Sequence, residues 1–286
     1  MKGSVPATIP GGFESAGAWR RELYLRPWSG REEMLFFEQP GFVLPAARAT
    51  ELLARCVSVD GRQPAGREFA RRLTVGDRES LLLQLHGLSI GDGLPCMLVC
   101  SGCRQPMDLE LHATELLSPP GAYEGWEHHA AFDAEGRQYR LVFRLPNGGD
   151  QEAGASLVAR SEEEAIRAVL RRCIASVTRD DGVPQEEIPS GLAGRLSQMM
   201  ADLDPQAELL LDCDCVHCGA PIRSLFDAAH YVLQEMNRGA QALLRDVYAL
   251  AGAFHWREAE IVAMSTRRRR SYLALIGGVA VGGGRG

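Results

Sequence analysis

The first 17 residues of this chain are rich in Gly, Pro, Ser and Ala and lack an apolar core, so no export leader is expected there. No apolar run approaches the roughly 20 residues that a membrane-spanning helix requires. A surplus of positive charge is missing too: 31 Lys and Arg stand against 37 Asp and Glu, a formal net charge of −6. That balance argues against a nucleic-acid coat or a membrane-surface binder. Signatures of catalysis are absent. The chain holds no H-E-x-x-H, no Walker sequence, no G-x-S-x-G, and no Gly-rich loop between a strand and a helix, which leaves an enzyme without support. What remains, at 286 residues, 45% hydrophobic and 24% charged, has the composition of an ordinary globular protein of one large domain or two modest ones.

Cysteine is the residue in unusual supply. Eight cysteines without an export signal point to a reducing, cytoplasmic compartment, where C-x-x-C means metal or redox chemistry rather than a disulfide framework. Two such pairs are present, Cys100-Ser-Gly-Cys103 and Cys215-Val-His-Cys218, each between short apolar runs. A C-x-x-C bend aims two sulfurs at one point, and thiolates at about 2.3 Å suit tetrahedral zinc. One pair supplies half a site, so the expectation is a closed, structural four-cysteine zinc site made by Cys100, Cys103, Cys215 and Cys218. A thiol–disulfide pair and buried cysteines without a ligand are the alternatives.

The echo extends beyond the sulfurs. The 115-residue offset from Cys100 to Cys215 also maps Pro106 onto Pro221, Leu111 onto Phe226, and Leu81, Leu85 and Leu88 onto Leu196, Met200 and Leu203. Each copy reads as a helix, a strand into the knuckle and a strand out. Cys96 and Cys213 are further candidate ligands, but they sit at unmatched offsets and read as buried strand cysteines behaving as small hydrophobes. His217, between two ligands, reads as an exposed knuckle residue. The pair His128–His129 is placed in a loop over residues 119–136, with adjacent side chains diverging to solvent rather than converging on a metal.

Elsewhere, Pro45 suits the first turn of a helix carrying Leu52, Leu53 and Cys56 inward. Thr74 reads as a helix cap with Asp77 three residues on. Asn147-Gly-Gly-Asp reads as a turn. Ser161 caps an acidic helix start. The second copy is expected to begin near Ile188. Asp227 caps the longest helix, about residues 228–252, whose stripe Val232, Met236, Ala240, Leu243, Val247 and Leu250 is read as core or subunit contact. A helix over 256–264 and a last one ending at Gly277 follow. In the latter, Arg267 to Arg270 diverge by about 100° each and read as a solvated collar.

The order of several short motifs resembles the T4-type phage baseplate hub assembly chaperone family. These are Gly30-Arg-Glu-Glu, Leu73-Thr-Val-Gly-Asp-Arg-Glu79 before a Leu-rich helix, Cys100-x-x-Cys103 followed by Leu-Glu-Leu, and Phe143-Arg-Leu-Pro146. The second C-x-x-C, Trp256-Arg-Glu-Ala-Glu-Ile and Arg-Arg-x-x-Tyr-Leu complete the set. The resemblance spans about residues 22–276. It implies a non-enzymatic protein that helps to build the hub or baseplate of a contractile tail or bacterial contractile injection system. Baseplate, hub and spike proteins would be its partners, with incorporation in a tail-like particle and no catalytic residue carried over.

The expected architecture is α+β: two quasi-repeated helix–strand–knuckle–strand units sharing one structural zinc, with a C-terminal helical segment. The expected divisions are a flexible tail over 1–20, a zinc-knuckle core over 21–226, a helical segment over 227–276 and a flexible Gly-rich tail over 277–286. A zinc-ribbon nucleic-acid binder using Arg267 to Arg270 is the alternative from another class, and a thiol oxidoreductase the third.

Overall fold

The computed structural model describes residues 3–38, 44–121, 124–134, 136–158, 161–185 and 191–282, with side chains to 277. Of the tail expected over 1–20, the described residues 3–20 are not loose. Strand β1 (Val5–Ser15) pairs antiparallel with β2 (Ala18–Leu25), and Ile9 and Phe13 are buried. Pro10, Gly11 and Gly12 form a bulge between Thr8 and Phe13. The Gly11 and Gly12 N–H groups donate to the Asp77 carboxylate at 2.7 and 3.1 Å. Glycine and proline content suggested disorder, but a bulge satisfied by a distant carboxylate is ordered whatever its composition.

Helices α1 (Gly30–Glu38) and α2 (Pro45–Cys56) follow, then β3 (Val57–Ser58) on the edge of the first sheet, α3 (Gly66–Arg72) and α4 (Val75–Ser89). As expected, Leu52, Leu53 and Cys56 face inward, and the Thr74 hydroxyl caps α4 by accepting from the Asp77 N–H at 3.1 Å. Such a cap is worth about 1 kcal/mol.

Hairpin β4 (Gly93–Val99) and β5 (Pro106–His112) carries the first knuckle. The region read as loop to residue 136 instead includes β6 (His128–Ala134), which pairs with β7 (Arg137–Phe143). The Asn147 motif is not a free turn. It opens α5 (Gly148–Val158), with Asn147 and Asp150 exchanging backbone-to-side-chain bonds of 3.0 and 3.1 Å. Then come α6 (Glu162–Cys173), capped by Ser161, β8 (Ile174–Arg179) and α7 (Leu192–Leu203). Strands β6–β7–β8 with α6 and α7 bury a second core that includes Leu141, Phe143, Leu170, Leu196 and Met200. The expected start of the second copy near Ile188 lies outside the described residues.

The second knuckle hairpin, β9 (Leu209–Asp214) and β10 (Pro221–Phe226), leads into α8 (Ala228–Phe254), α9 (Glu258–Val262) and α10 (Thr266–Gly282). Asp227 caps α8, and Val232, Met236 and Ala240 of its stripe join the main core with α2, α4 and the N-terminal hairpin. The last helix runs past Gly277 to Gly282, so the expected tail is helical over its first part. Phe254 stacks on Trp256, and Tyr272 of α10 meets both rings edge-on, while Tyr248 stands exposed. The whole is mixed helix and sheet, with four small antiparallel sheets among the described residues, compatible with α+β.

The solvated collar is wrong for one of its four members. Arg269 is 1% exposed and pairs with Glu33 of α1 and, at 2.9 Å, with Asp246 of α8. A period of 3.6 residues turns one side chain in any four toward the core, and here two carboxylates await it. Arg267, Arg268 and Arg270 are exposed.

The start of α4 joins both cores. Val75 N–H donates to Pro146 O at 3.0 Å, and Gly76 N–H to the buried Asp204 carboxylate at 2.9 Å. A Cβ on Gly76 would fall 1.8 Å from Asp204 Oδ1, so only glycine fits. Arg78, fully buried, donates to Ala46 O (3.0 Å), Ala70 O (2.8 Å), Thr50 Oγ1 (3.1 Å) and Gln151 Oε1 (3.0 Å). Burial lowers its pKa to about 10, which keeps it charged. Glu79 accepts from the Ala229 N–H at 3.0 Å, at the first turn of α8. Burial raises Asp77 and Glu79 to about 7, with Asp204 and Asp227 adding to it.

Two outcomes follow from these buried charges. Arg269→Gln should cost about 3–5 kcal/mol in urea denaturation, since it leaves Glu33 buried and unpaired. Arg267→Gln and Arg270→Gln should stay within about 0.5 kcal/mol, and equal effects at all three would refute the assignment. The second outcome concerns pH. Asp77 and Glu79 titrate near 7 when folded, against about 4 for carboxylates in an unfolded chain. The folded state therefore holds protons the unfolded chain has lost, and this contribution to stability falls as pH rises from about 4 to about 7. Asp77→Asn should flatten the stability–pH curve over that window; an unchanged slope would show that Asp77 does not titrate there.

Candidate metal centre

Each knuckle is set by a tight antiparallel ladder. In the first, Val99 pairs with Pro106 and Leu98 with Met107; in the second, Asp214 pairs with Pro221 and Cys213 with Ile222. These pairings are related by the same 115-residue offset as the cysteines. The tips match bond for bond. Arg104 N–H donates to Cys100 O at 2.9 Å, and Gly219 N–H to Cys215 O at 2.8 Å. Cys100 N–H donates to Gln105 O at 3.1 Å, and Cys215 N–H to Ala220 O at 2.9 Å. Both turns pass through a left-handed residue, Gly219 at φ +71° and Arg104 at φ +61°. Glycine takes that conformation freely, whereas arginine gives up about 1–2 kcal/mol. The first knuckle adopts the same bend despite the wrong residue for it.

The hairpins meet through their inner faces, burying Met107 and Ile222 beside Cys100 and Cys215. All four sulfurs lie within 4.8 Å of one another, with Cys100 Sγ 3.8 Å from Cys218 Sγ and Cys103 Sγ 3.7 Å from Cys215 Sγ. A tetrahedron with arms of about 2.3 Å has edges of about 3.8 Å. Disulfides need about 2.05 Å between sulfurs, and all eight cysteines are free. The electrostatics are strained without a cation. The N–H groups of Cys103 and Gly102 bring the Cys100 thiol down to about 6. At Cys218 the Ala220 N–H pulls the same way but is outweighed by the sulfurs of Cys103, Cys215 and Cys100, which push it up to about 12. Four thiolates cannot share this volume unless positive charge joins them. The donor set and its spacing fit a tetrahedral metal.

The remaining candidates stay apart. Cys96 and Cys213 face inward on their strands but outside the sulfur cluster, and are half-buried rather than fully buried. His217 is exposed, its Nε2 3.2 Å from Pro106 O, which ties one tip to the other hairpin. His128 and His129 lie on β6, not in a loop; His128 leans on Phe143 and His129 faces solvent. Among the described residues no group of three or more potential ligands other than the four cysteines gathers within metal distance.

One feature was missed in the sequence. The two segments that form this finger, residues 92–117 and 208–227, hold eight carboxylates and two arginines. Removing them from the chain's 37 acidic and 31 basic residues leaves 29 of each, so the finger carries the whole net charge of −6. Counting charge by segment, rather than over the chain, would have found it.

Comparison with curated proteins and with solved structures yields no match. A family model described as T4 bacteriophage base plate protein matches residues 18–231. That span takes in β2 and β3 of the N-terminal sheet, the buried start of α4, the second core and both knuckles; it leaves out β1 and ends at the first turn of α8. The chain belongs to the T4 bacteriophage base plate protein family.

Proposed function

We propose that this chain is a non-enzymatic structural or assembly protein of the baseplate or hub of a contractile tail or injection system, held in shape by a structural zinc. Its work is done through contacts with other baseplate, hub and spike proteins. Family membership supports the baseplate role. The observation that carries the metal reading is the sulfur spacing of 3.7 and 3.8 Å, the edge of a zinc tetrathiolate. Four protein ligands fill a tetrahedral site, so the metal holds structure and offers no open position for substrate. Cys100, Cys103, Cys215 and Cys218 supply the ligands, and the inner residues Met107 and Ile222 keep water from the buried side.

The nucleic-acid alternative has little physical support. Phosphate binding needs many cationic contacts, whereas the finger is acidic and Arg269, one of the four clustered arginines, is committed to Glu33 and Asp246.

Elemental analysis of protein purified without added metal should give about one zinc per chain. Because structural zinc contributes about 10–16 kcal/mol of apparent binding energy, Cys103→Ser or Cys218→Ser should abolish the zinc signal and leave little soluble protein. Cys96→Ser and Cys213→Ser should retain the metal. Two zincs per chain, or equal loss at all six positions, would sink the four-cysteine site. Affinity purification from a host making tail particles should recover baseplate or hub components; recovery of the chain alone would count against the assembly role.

A further inference from the structure

The finger has an outer surface that the metal does not account for. On β4 the outward side chains are Pro95, Met97 and Val99; on β5 they are Pro106, Asp108 and Glu110. The ladder sets Val99 opposite Pro106, Met97 opposite Asp108 and Pro95 opposite Glu110, so all six share one face. Met97 is 66% exposed and Val99 56%. An apolar column thus stands beside an acidic one, on the part of the molecule that carries its entire net charge.

We propose that this face docks a cationic segment of another baseplate protein, one that lays apolar side chains along Met97 and Val99 and Arg or Lys side chains along Asp108 and Glu110. That the partner is a baseplate protein rests on the function proposed above; the chemistry of the face does not. Three observations select this occupant. First, the charge is concentrated: with 29 acidic and 29 basic residues elsewhere, the finger is where a cationic partner is drawn. Second, the same charge repels nucleic-acid phosphates and anionic headgroups. Third, large apolar side chains stand free on a short two-stranded sheet. Methionine is an adaptable contact residue, and an arginine partner combines apolar contact with paired hydrogen bonds to carboxylates.

The face also depends on the metal. The finger tip buries only Cys100, Met107, Cys215 and Ile222, and an isolated two-stranded hairpin is marginal in water. Without the four-sulfur centre the two columns have no fixed spacing to offer.

The test uses the full chain as purified with its zinc, and a fluorescein-labelled short peptide alternating Arg and Val as probe, followed by anisotropy. Binding is expected at low ionic strength, weakening as salt screens the charges. Asp108→Lys with Glu110→Lys should weaken it about tenfold or more, and Met97→Ser with Val99→Ser by a similar factor. Glu162→Lys with Glu163→Lys, exposed acids on α6, should leave it unchanged. Zinc content should match wild type in all three, and melting curves in the two finger variants, since every side chain altered there is exposed. No binding, equal binding of a peptide alternating Arg and Ser, or an equal loss in the α6 variant would overturn the proposal. Sedimentation showing that wild type pairs with itself while Asp108→Lys with Glu110→Lys stays monomeric would assign the face to a second copy instead, and would also overturn it. If the finger variants still recover baseplate components from a host, the face is not the interface while the baseplate role stands.

Discussion

Six consecutive residues at the start of α4, Thr74 to Glu79, hold the rest of the molecule in register. Thr74 caps the helix, Gly76 receives Asp204 from the end of α7, and Asp77 closes the N-terminal bulge. Arg78 collects two carbonyls from α2 and α3, and Glu79 caps the first turn of α8. Each desolvated charge costs several kcal/mol on its own, and each is offset only when its partners arrive from elements far away in sequence. The site is therefore nearly all-or-none. Partial assembly leaves a buried carboxylate or guanidinium without partners, a state worse than an unfolded one.

That junction also aims the finger. Strand β10 ends at Phe226 and α8 begins two residues later, with its first N–H groups held by Asp227 and Glu79. At the other strand, the Tyr231 hydroxyl reaches Pro95 O. The base of the finger is thus fixed by the core, while its tip is fixed by sulfur geometry. Two kinds of cohesion divide the molecule: apolar burial and buried charge in the body, four converging sulfurs in the finger.

The division bears on what the finger exposes. A body of balanced charge is compatible with close packing among many neighbours. A single acidic projection gives such a body one electrostatic address. The inner face buries Met107 beside the sulfurs, while the outer side chains of β4 and β5 stand exposed, free of the packing that the inner face performs.

Much of this was legible from local pattern. C-x-x-C spacing and a shared offset determined which four sulfurs meet, because the bend of a knuckle is a local property and the two ladders repeat residue for residue. Caps at Thr74, Ser161 and Asp227 were legible for the same reason: a cap acts three residues away. What the sequence could not decide were the bonds made at a distance. The N-terminal bulge looks disordered until Asp77 is beside it, and Asn147 looks like a turn until α5 continues from it. Arg269 is indistinguishable from its three neighbours until α1 and α8 place Glu33 and Asp246 around it. Local composition determines the elements and their ends; only the tertiary structure decides which charges are buried, because burial is a property of the partners and not of the residue.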